Sequence, residues 1–317
     1  MKLYVGIDLG GTNIGAGIVD GDGNILIKGE VATGASRPFE EVIEDMAGLI
    51  EDLMEQGEYT ISDIEAIGIG SPGSIDREKG VVVSANNLGW RHVPVREELQ
   101  KHVDLPVYLE NDASVADRAE SVACVCKGAK NSVTITLGTG VGSGIIIDGK
   151  PYIGSHGVGA ELGHIIVHVD GIQCTCGNKG CLERYASATA LIREGRKAAE
   201  ENPDSLIAKS VDGDLDKINA KVVIDAAKAG DEKALEIFDT YIYYLTMGIV
   251  TTVNMLDPSV IAIGGGVSRA GDFLLDALRE CVAEHTFYKD IESSNIYLSE
   301  LGNDAGIIGA AMLGSIK

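Results

Sequence analysis

The sequence predicts an α/β protein of two domains, with duplicated halves facing each other across a cleft. Three observations carry this. Strand-like and helix-like runs alternate along the chain. Its 317 residues, 45% of them hydrophobic, can fill more than one core. A strand–glycine turn–strand stretch occurs twice.

In chain order, Leu3 to Asp8 and Gly15 to Val19 read as strands around the turn Gly10-Gly11-Thr12-Asn13. Phe39 to Gln56 places Val42, Met46, Leu49, Ile50 and Leu53 at helical spacing, with Gly57 as the stop. The strand Ala66 to Gly70 overlaps Gly68-Ile-Gly-Ser-Pro-Gly73, which matches the dinucleotide pattern G-x-G-x-x-G. Pro72 inside the turn and the lack of a helix opening after it remove the context that reading needs. Val107 to Leu109 is a strand ending in Glu110-Asn111-Asp112, followed by a helix carrying Val115, Ala119 and Val122. Val133 to Leu137 and Gly144 to Ile147 flank Gly138-Thr139-Gly140-Val141-Gly142. Glu232 to Met255 reads as a long buried helix, and the strand Val260 to Ile263 runs into Gly264-Gly265-Gly266 ahead of a helix near Phe273 to Glu284. The Gly-x-x-x-x-Gly-Lys-Ser/Thr phosphate loop does not occur.

Residues 7–21 can be laid on residues 135–149 without a gap, so that Leu9/Leu137, Gly10/Gly138, Ile18/Ile146, Asp20/Asp148 and Gly21/Gly149 coincide. Each copy ends on an Asp-Gly hairpin signal. Glycines place no Cβ between backbone N–H groups and an anion. Each turn alone is a tight hairpin or a phosphate contact; the pair suits a phosphate chain. The triple glycine is a strand-to-helix turn or a bare backbone that admits a base or its ribose. Asp112 is a helix cap, which spacing favours, or a carboxylate at a strand end aimed at a crevice.

A net charge of −22 disfavours the long basic surface that nucleic acid or anionic lipid requires. The longest nearly apolar run, Tyr241 to Leu256, is broken by Thr246, Thr251, Thr252 and Asn254, and is too short and polar to span a bilayer. With a first strand at Leu3 leaving no room for a leader, and with six cysteines in so long a chain, a cytoplasmic protein is expected.

Three of those cysteines, Cys174, Cys176 and Cys181, crowd between Glu161-Leu-Gly-His164 and Glu183. Cys174-x-Cys176 is too tight for an easy disulfide, and three thiols cannot all pair. Three thiolates and one imidazole suit tetrahedral Zn²⁺ as a closed structural set; unligated thiols are the alternative. By spacing, either His164 or His168 can be the fourth ligand. A zinc ion there would pin both flanking glutamates.

Asp8-Leu-Gly-Gly-Thr-Asn13, Gly70-Ser-Pro-Gly73, Glu110-Asn-Asp112, Leu137-Gly-Thr-Gly140, Glu161-Leu-Gly-His164 and Cys174-x-Cys-Gly-x-x-Gly-Cys181-Leu-Glu183 resemble, in order and over nearly the whole chain, the ROK family of sugar kinases and related repressors. The resemblance implies the actin-like ATPase (ribonuclease H-like) fold. It implies a smaller N-terminal domain of residues 1–118 plus 300–317, with a returning last helix, and a larger domain of residues 119–299 carrying the zinc site. The implied reaction transfers the γ-phosphoryl group of ATP to a hexose. On this resemblance Asp112 is the catalytic base, and Gly73, Asn87, Asn111, Asp112, Glu161, His164 and Glu183 contact the sugar. Asp8, Gly10, Gly11, Thr12, Asn13, Gly138, Thr139, Gly140, Gly264, Gly265 and Gly266 are the nucleotide-binding set, with Asp8 placed to hold Mg²⁺ through water. His164, not His168, joins Cys174, Cys176 and Cys181 on zinc, which serves as scaffolding and not as the Lewis acid of the reaction. Ser114 stands where the family often has a second Asn.

Cys181-Leu-Glu-Arg-Tyr-Ala-Ser-Ala-Thr-Ala190 resembles the glucose-phosphorylating members, so D-glucose, phosphorylated at O6, is the expected acceptor. N-acetylmannosamine, N-acetylglucosamine and fructose are the alternatives, and polyphosphate is a second possible donor. A homo-oligomer, dimer or tetramer, is expected from the family. Its repressors carry a DNA-reading module ahead of this fold, which a first strand at Leu3 and an acidic chain argue against. The hydroxyl-reading glutamates argue against an actin-like ATPase without a sugar.

Overall fold

The computed structural model describes residues 2–156, 158–291, 294–299 and 301–315, without the side chains of residues 113, 117, 121–123 and 303. The chain divides into two compact units, residues 1–128 with 301–317, and residues 129–300. A boundary at 118 falls inside the helix Asp112–Ala123, whose continuous backbone ladder keeps it in one unit; the change comes after Gly128 instead. Among the described residues no helix is long and apolar enough to cross a membrane.

The first unit contains β1 (Leu3–Leu9), β2 (Asn13–Asp20), β3 (Ile25–Ala32), β4 (Ile64–Ser71), β5 (Ser74–Asp76), β6 (Val81–Ala85), β7 (Trp90–Val93) and β8 (Val107–Asn111). Five of these form one sheet in the order β3-β2-β1-β4-β8, and β5 to β7 form a small antiparallel sheet. The central strands β1 and β4 are buried almost throughout, whereas β3, at the edge, alternates between half-buried and exposed residues. The helix Phe39–Gln56 packs Val42, Met46, Ile50 and Leu53 into the core of this sheet and stops at Gly57. In Asp112–Ala123, Val115 and Ala119 are buried, while the side chain of Val122 lies outside the described residues.

Gly17, Gly6 and Gly68 form a row across β2, β1 and β4. The helix Ala305–Ala311 lies on that row so closely that a Cβ at Gly6 or Gly68 would run into the carbonyl oxygens of Ile307 and Ala310. Gly70 meets Val115 in the same way, at 3.2 Å. The first two glycines of the dinucleotide-like pattern therefore seat helices on a sheet.

The second unit repeats the plan. Its strands β9 (Ser132–Leu137), β10 (Val141–Ile147), β11 (Lys150–Pro151), β12 (Val260–Gly264) and β13 (Asn295–Leu298) lie in the order β11-β10-β9-β12-β13. Each pairing has the direction of its counterpart in the first unit. The helices Ala188–Glu201, Ala220–Lys228, Glu232–Leu256 and Asp272–His285 bury Leu191, Val223, Leu245 and Leu278 in its core.

The repeat is not gapless. Leu9 pairs with Ile14 but Leu137 pairs with Val141, so the first turn is one residue longer than the second. Beyond the turns Ile14-Gly-Ala-Gly-Ile18 corresponds to Val141-Gly-Ser-Gly-Ile145. The Asp-Gly signals also differ in outcome. Asp148 and Gly149, at φ 51° and 74°, make a two-residue hairpin between Ile147 and Lys150. In the first unit the Asp20 carboxylate accepts the N–H groups of Asp22 and Asn24 at 2.9 Å within a longer loop, whose positive φ falls at Gly23.

Candidate active site and metal centre

In the first unit the parallel strands β1, β4 and β8 end on one edge of the sheet, with Asp8, Gly70 and Glu110 in register across it. This is where crevice residues of an open α/β sheet collect. The turn after β1 closes by Gly10 N–H to the Asn13 carbonyl at 3.0 Å. Thr33 holds it from below, with Oγ1 donating to the Gly10 carbonyl at 2.7 Å and N–H donating to the Thr12 carbonyl at 2.8 Å. Asn87 lies against Gly11, where a Cβ would come within 3.3 Å of its own Cβ. Asn111 Nδ2 donates to the Gly73 carbonyl at 3.0 Å, and Gly73 sits at φ 93° with no room for a side chain beside the Ser84 carbonyl.

Asp112 is exposed and is the first residue of its helix, where a negative charge complements the helix dipole. Its charge reaches Asp8. The Asp8 carboxyl is pushed up to about 6, first by burial and then by Asp112. Gly306 also faces Asp8, since a side chain there would run into the carboxylate.

In the second unit the turn Gly138-Thr139-Gly140 is anchored by the start of the helix Ala188–Glu201. Ala188 N–H donates to the Gly138 carbonyl at 2.8 Å, and Thr189 Oγ1 to the Thr139 carbonyl at 2.7 Å. Gly265, at φ 86°, packs on Leu137, the residue before this turn, where a Cβ would stand 2.5 Å from the carbonyl oxygen. The triple glycine is thereby brought beside the second glycine turn. Glu183 reaches the same turn, with Oε2 accepting from Val141 N–H at 3.4 Å.

The ligand atoms of His164, Cys174, Cys176 and Cys181 all lie within 4.8 Å of one another. The Cys176 and Cys181 sulfurs are 3.6 Å apart, and Cys174 Sγ is 3.8 Å from His164 Nδ1. Gly177 and Gly180, at φ 98° and 78°, turn the loop back on itself. Burial pushes the Cys181 thiol up to about 12, a penalty that a bound divalent cation reverses by stabilising the thiolate. The donor chemistry fits a Cys₃His zinc site. His168 is engaged elsewhere, with Nδ1 2.9 Å from the Tyr244 hydroxyl and its ring stacked on Tyr185 at 5.6 Å.

Ser143 mounts the Glu161–His164 segment on β10. Its Oγ accepts Leu162 N–H at 3.0 Å and bonds to the Ala160 carbonyl. Thr33, Ser143 and Thr189 carry no sequence signal because each acts on backbone groups distant in the chain; only the backbone pairing sets Ser143 in the place of the buried Ala16 of the first copy.

The pattern that defines the ROK family matches residues 4–316. The glucokinase of Thermotoga maritima is 40% identical over 314 residues, which are 99% of this chain and 97% of that protein. A ROK family glucokinase from Streptomyces griseus, solved in complex with glucose and AMPPNP, is 36% identical, with a TM-score of 0.82 over 98% of both chains. The xylose repressor of Caldicellulosiruptor bescii is 30% identical over 96% of this chain but only 76% of its own length. With both glycine turns, the Glu-Asn-Asp strand end and the cysteine cluster all inside one continuous match, the chain belongs to the ROK family.

Proposed function

We propose that the protein is an ATP-dependent sugar kinase that phosphorylates D-glucose at O6. The observation that carries this reading is the likeness, over 98% of the chain, to a glucokinase whose structure holds glucose and AMPPNP. Identity is also higher to a glucokinase than to a xylose repressor, 40% against 30%, and a net charge of −22 disfavours DNA. The same reading makes it a cytoplasmic homo-oligomer of two or four chains.

Phosphoryl transfer has a loose transition state, so the enzyme's task is alignment and charge balance. Asp112 accepts the proton of the attacking hydroxyl. Asn111, held to Gly73, and Asn87 orient the sugar in the first unit, and Glu161, His164 and Glu183 read hydroxyls in the second. Each unit offers a glycine turn to phosphate oxygens, and Gly264, Gly265 and Gly266 leave room for the nucleoside. Asp8 is the residue that would hold Mg²⁺ through water; when bound, that ion balances the charge of the phosphates. His164, Cys174, Cys176 and Cys181 would hold zinc, which supplies rigidity to the two glutamates flanking the set.

An ATP-consumption assay with and without glucose tests the reading. Sugar-dependent turnover is expected. Turnover independent of sugar would make the protein a plain ATPase, and sugar binding without turnover would favour a sensor.

A further inference from the structure

We infer that Arg77 is a positioning residue for the phosphoryl-transfer site, acting through Glu110 on the strand end that carries Asn111 and Asp112. The role assigned to that strand end rests on the kinase reading. The geometry is a chain of bonds within the first unit. Arg77 grips Glu110 with two parallel contacts, Nε to Oε2 at 2.5 Å and Nη2 to Oε1 at 2.6 Å. Glu110 Oε1 also accepts the N–H of Asn111 at 2.7 Å, and Asn111 Nδ2 reaches the Gly73 carbonyl at 3.0 Å. Arg77 stands just after Gly73 in sequence, so the contacts close a ring that joins the Gly73 loop to the end of β8.

A second arginine ties the same hairpin to the other end of that strand. Arg96 donates from Nε to the Val107 carbonyl at 2.8 Å, from Nη2 to the Arg77 carbonyl at 2.8 Å and from Nη1 to the Glu78 carbonyl at 2.7 Å. Residues 77–80 are thus held along β8, with Arg96 at its start and Arg77 at its end. The Glu110 side chain is 11% exposed, and its strand end is in register with Asp8 across Gly70 and runs directly into the helix that Asp112 opens. A carboxylate in that company needs a counter-charge, and a bidentate guanidinium supplies charge and direction together. Without it, Glu110 would turn toward water and release the Asn111 amide.

The test compares Arg77→Gln, Arg77→Lys, Glu110→Gln and the double variant Arg77→Gln/Glu110→Gln. Arg77→Gln is expected to lower kcat/KM for glucose at least about tenfold, the scale of small misplacements at a reacting centre, while KM for ATP stays near wild type. Arg77→Lys, which cannot span both oxygens, should recover activity only in part. The double variant, which removes both charges, should be no worse than Arg77→Gln alone. Amide hydrogen exchange should accelerate at residues 72–80 and 107–112 and stay unchanged at 132–147.

Wild-type glucose kinetics in Arg77→Gln, or losses that simply add in the double variant, would overturn the inference. Unchanged exchange at 107–112 would do the same. If Arg77→Gln does not fold, Arg77→Lys carries the same kinetic and exchange comparisons. A wild-type protein that consumes no ATP with any sugar would instead defeat the kinase reading, and the exchange measurement alone would then decide whether Arg77 holds the strand end.

Discussion

Glu183 occupies the space that a side chain on Gly140 would need. Its Oε2 reaches the Val141 N–H at 3.4 Å, and its Oε1 lies 3.9 Å from Cys174 Sγ. One carboxylate therefore borders the glycine turn on one side and the cysteine cluster on the other, so a change at either neighbour is felt by the same proposed sugar contact.

Gly140→Ala should for that reason weaken glucose binding at least about tenfold, or about 1.4 kcal/mol, with little change in melting temperature. The atom displaced is the end of a flexible side chain, which can turn away at small cost to the fold. Glucose titration and thermal melts on the same samples check this; a large drop in stability with affinity intact would contradict it.

Asp112→Asn should leave sugar binding nearly unchanged and cut kcat at least about a hundredfold, the lower range for loss of a general base. The substitution keeps shape and removes the proton acceptor. Steady-state kinetics check it, and a kcat within about tenfold of wild type would remove Asp112 from the role.

Cys176→Ser, or a strong chelator, should lower thermal stability and glucose affinity together, because Glu161 and Glu183 flank one ligand set. Elemental analysis should return about one zinc per chain, as a single four-ligand set requires. Metal-free protein with full activity would defeat the zinc assignment.

Asp8 carries a pH signature. Its carboxyl rises from an ordinary 3.8 to about 6, so the nucleotide-free native state binds this proton more tightly than the unfolded chain does. The stability it contributes is complete below about pH 4 and is lost as pH rises through about 6. Asp8→Asn should then be more stable than wild type at pH 7.5, by on the order of 2 kcal/mol, with the gain shrinking as pH falls toward 4. Denaturant unfolding at a series of pH values, without Mg²⁺ or nucleotide, measures it.

Across D-glucose, N-acetylmannosamine, N-acetylglucosamine and fructose, kcat/KM at saturating Mg-ATP should be highest for glucose. A site built to hydrogen-bond hydroxyls leaves polar groups unpaired when one is missing. Preference for another of these sugars by more than about tenfold would change the substrate and leave the kinase intact.

The sequence by itself determined the α/β alternation, the duplicated hairpin, both glycine turns and the crowding of three cysteines beside a histidine. These are local properties: strand period, backbone freedom and thiol spacing are set within a few residues. It left His164 and His168 equal by spacing, and the structure separates them because Tyr185 and, from much farther along the chain, Tyr244 take up the His168 ring. It placed the echo in a gapless register, whereas backbone pairing lengthens the first turn by one residue and aligns Ile14-Gly-Ala-Gly-Ile18 with Val141-Gly-Ser-Gly-Ile145. It removed Gly68 from a dinucleotide turn but offered no other reason for that glycine, which is required because the helix Ala305–Ala311 lies on it from the opposite end of the chain. Which polar group holds which loop, and which glycine must stay bare, depends on contacts between residues far apart in sequence, and those exist only once the sheets have formed.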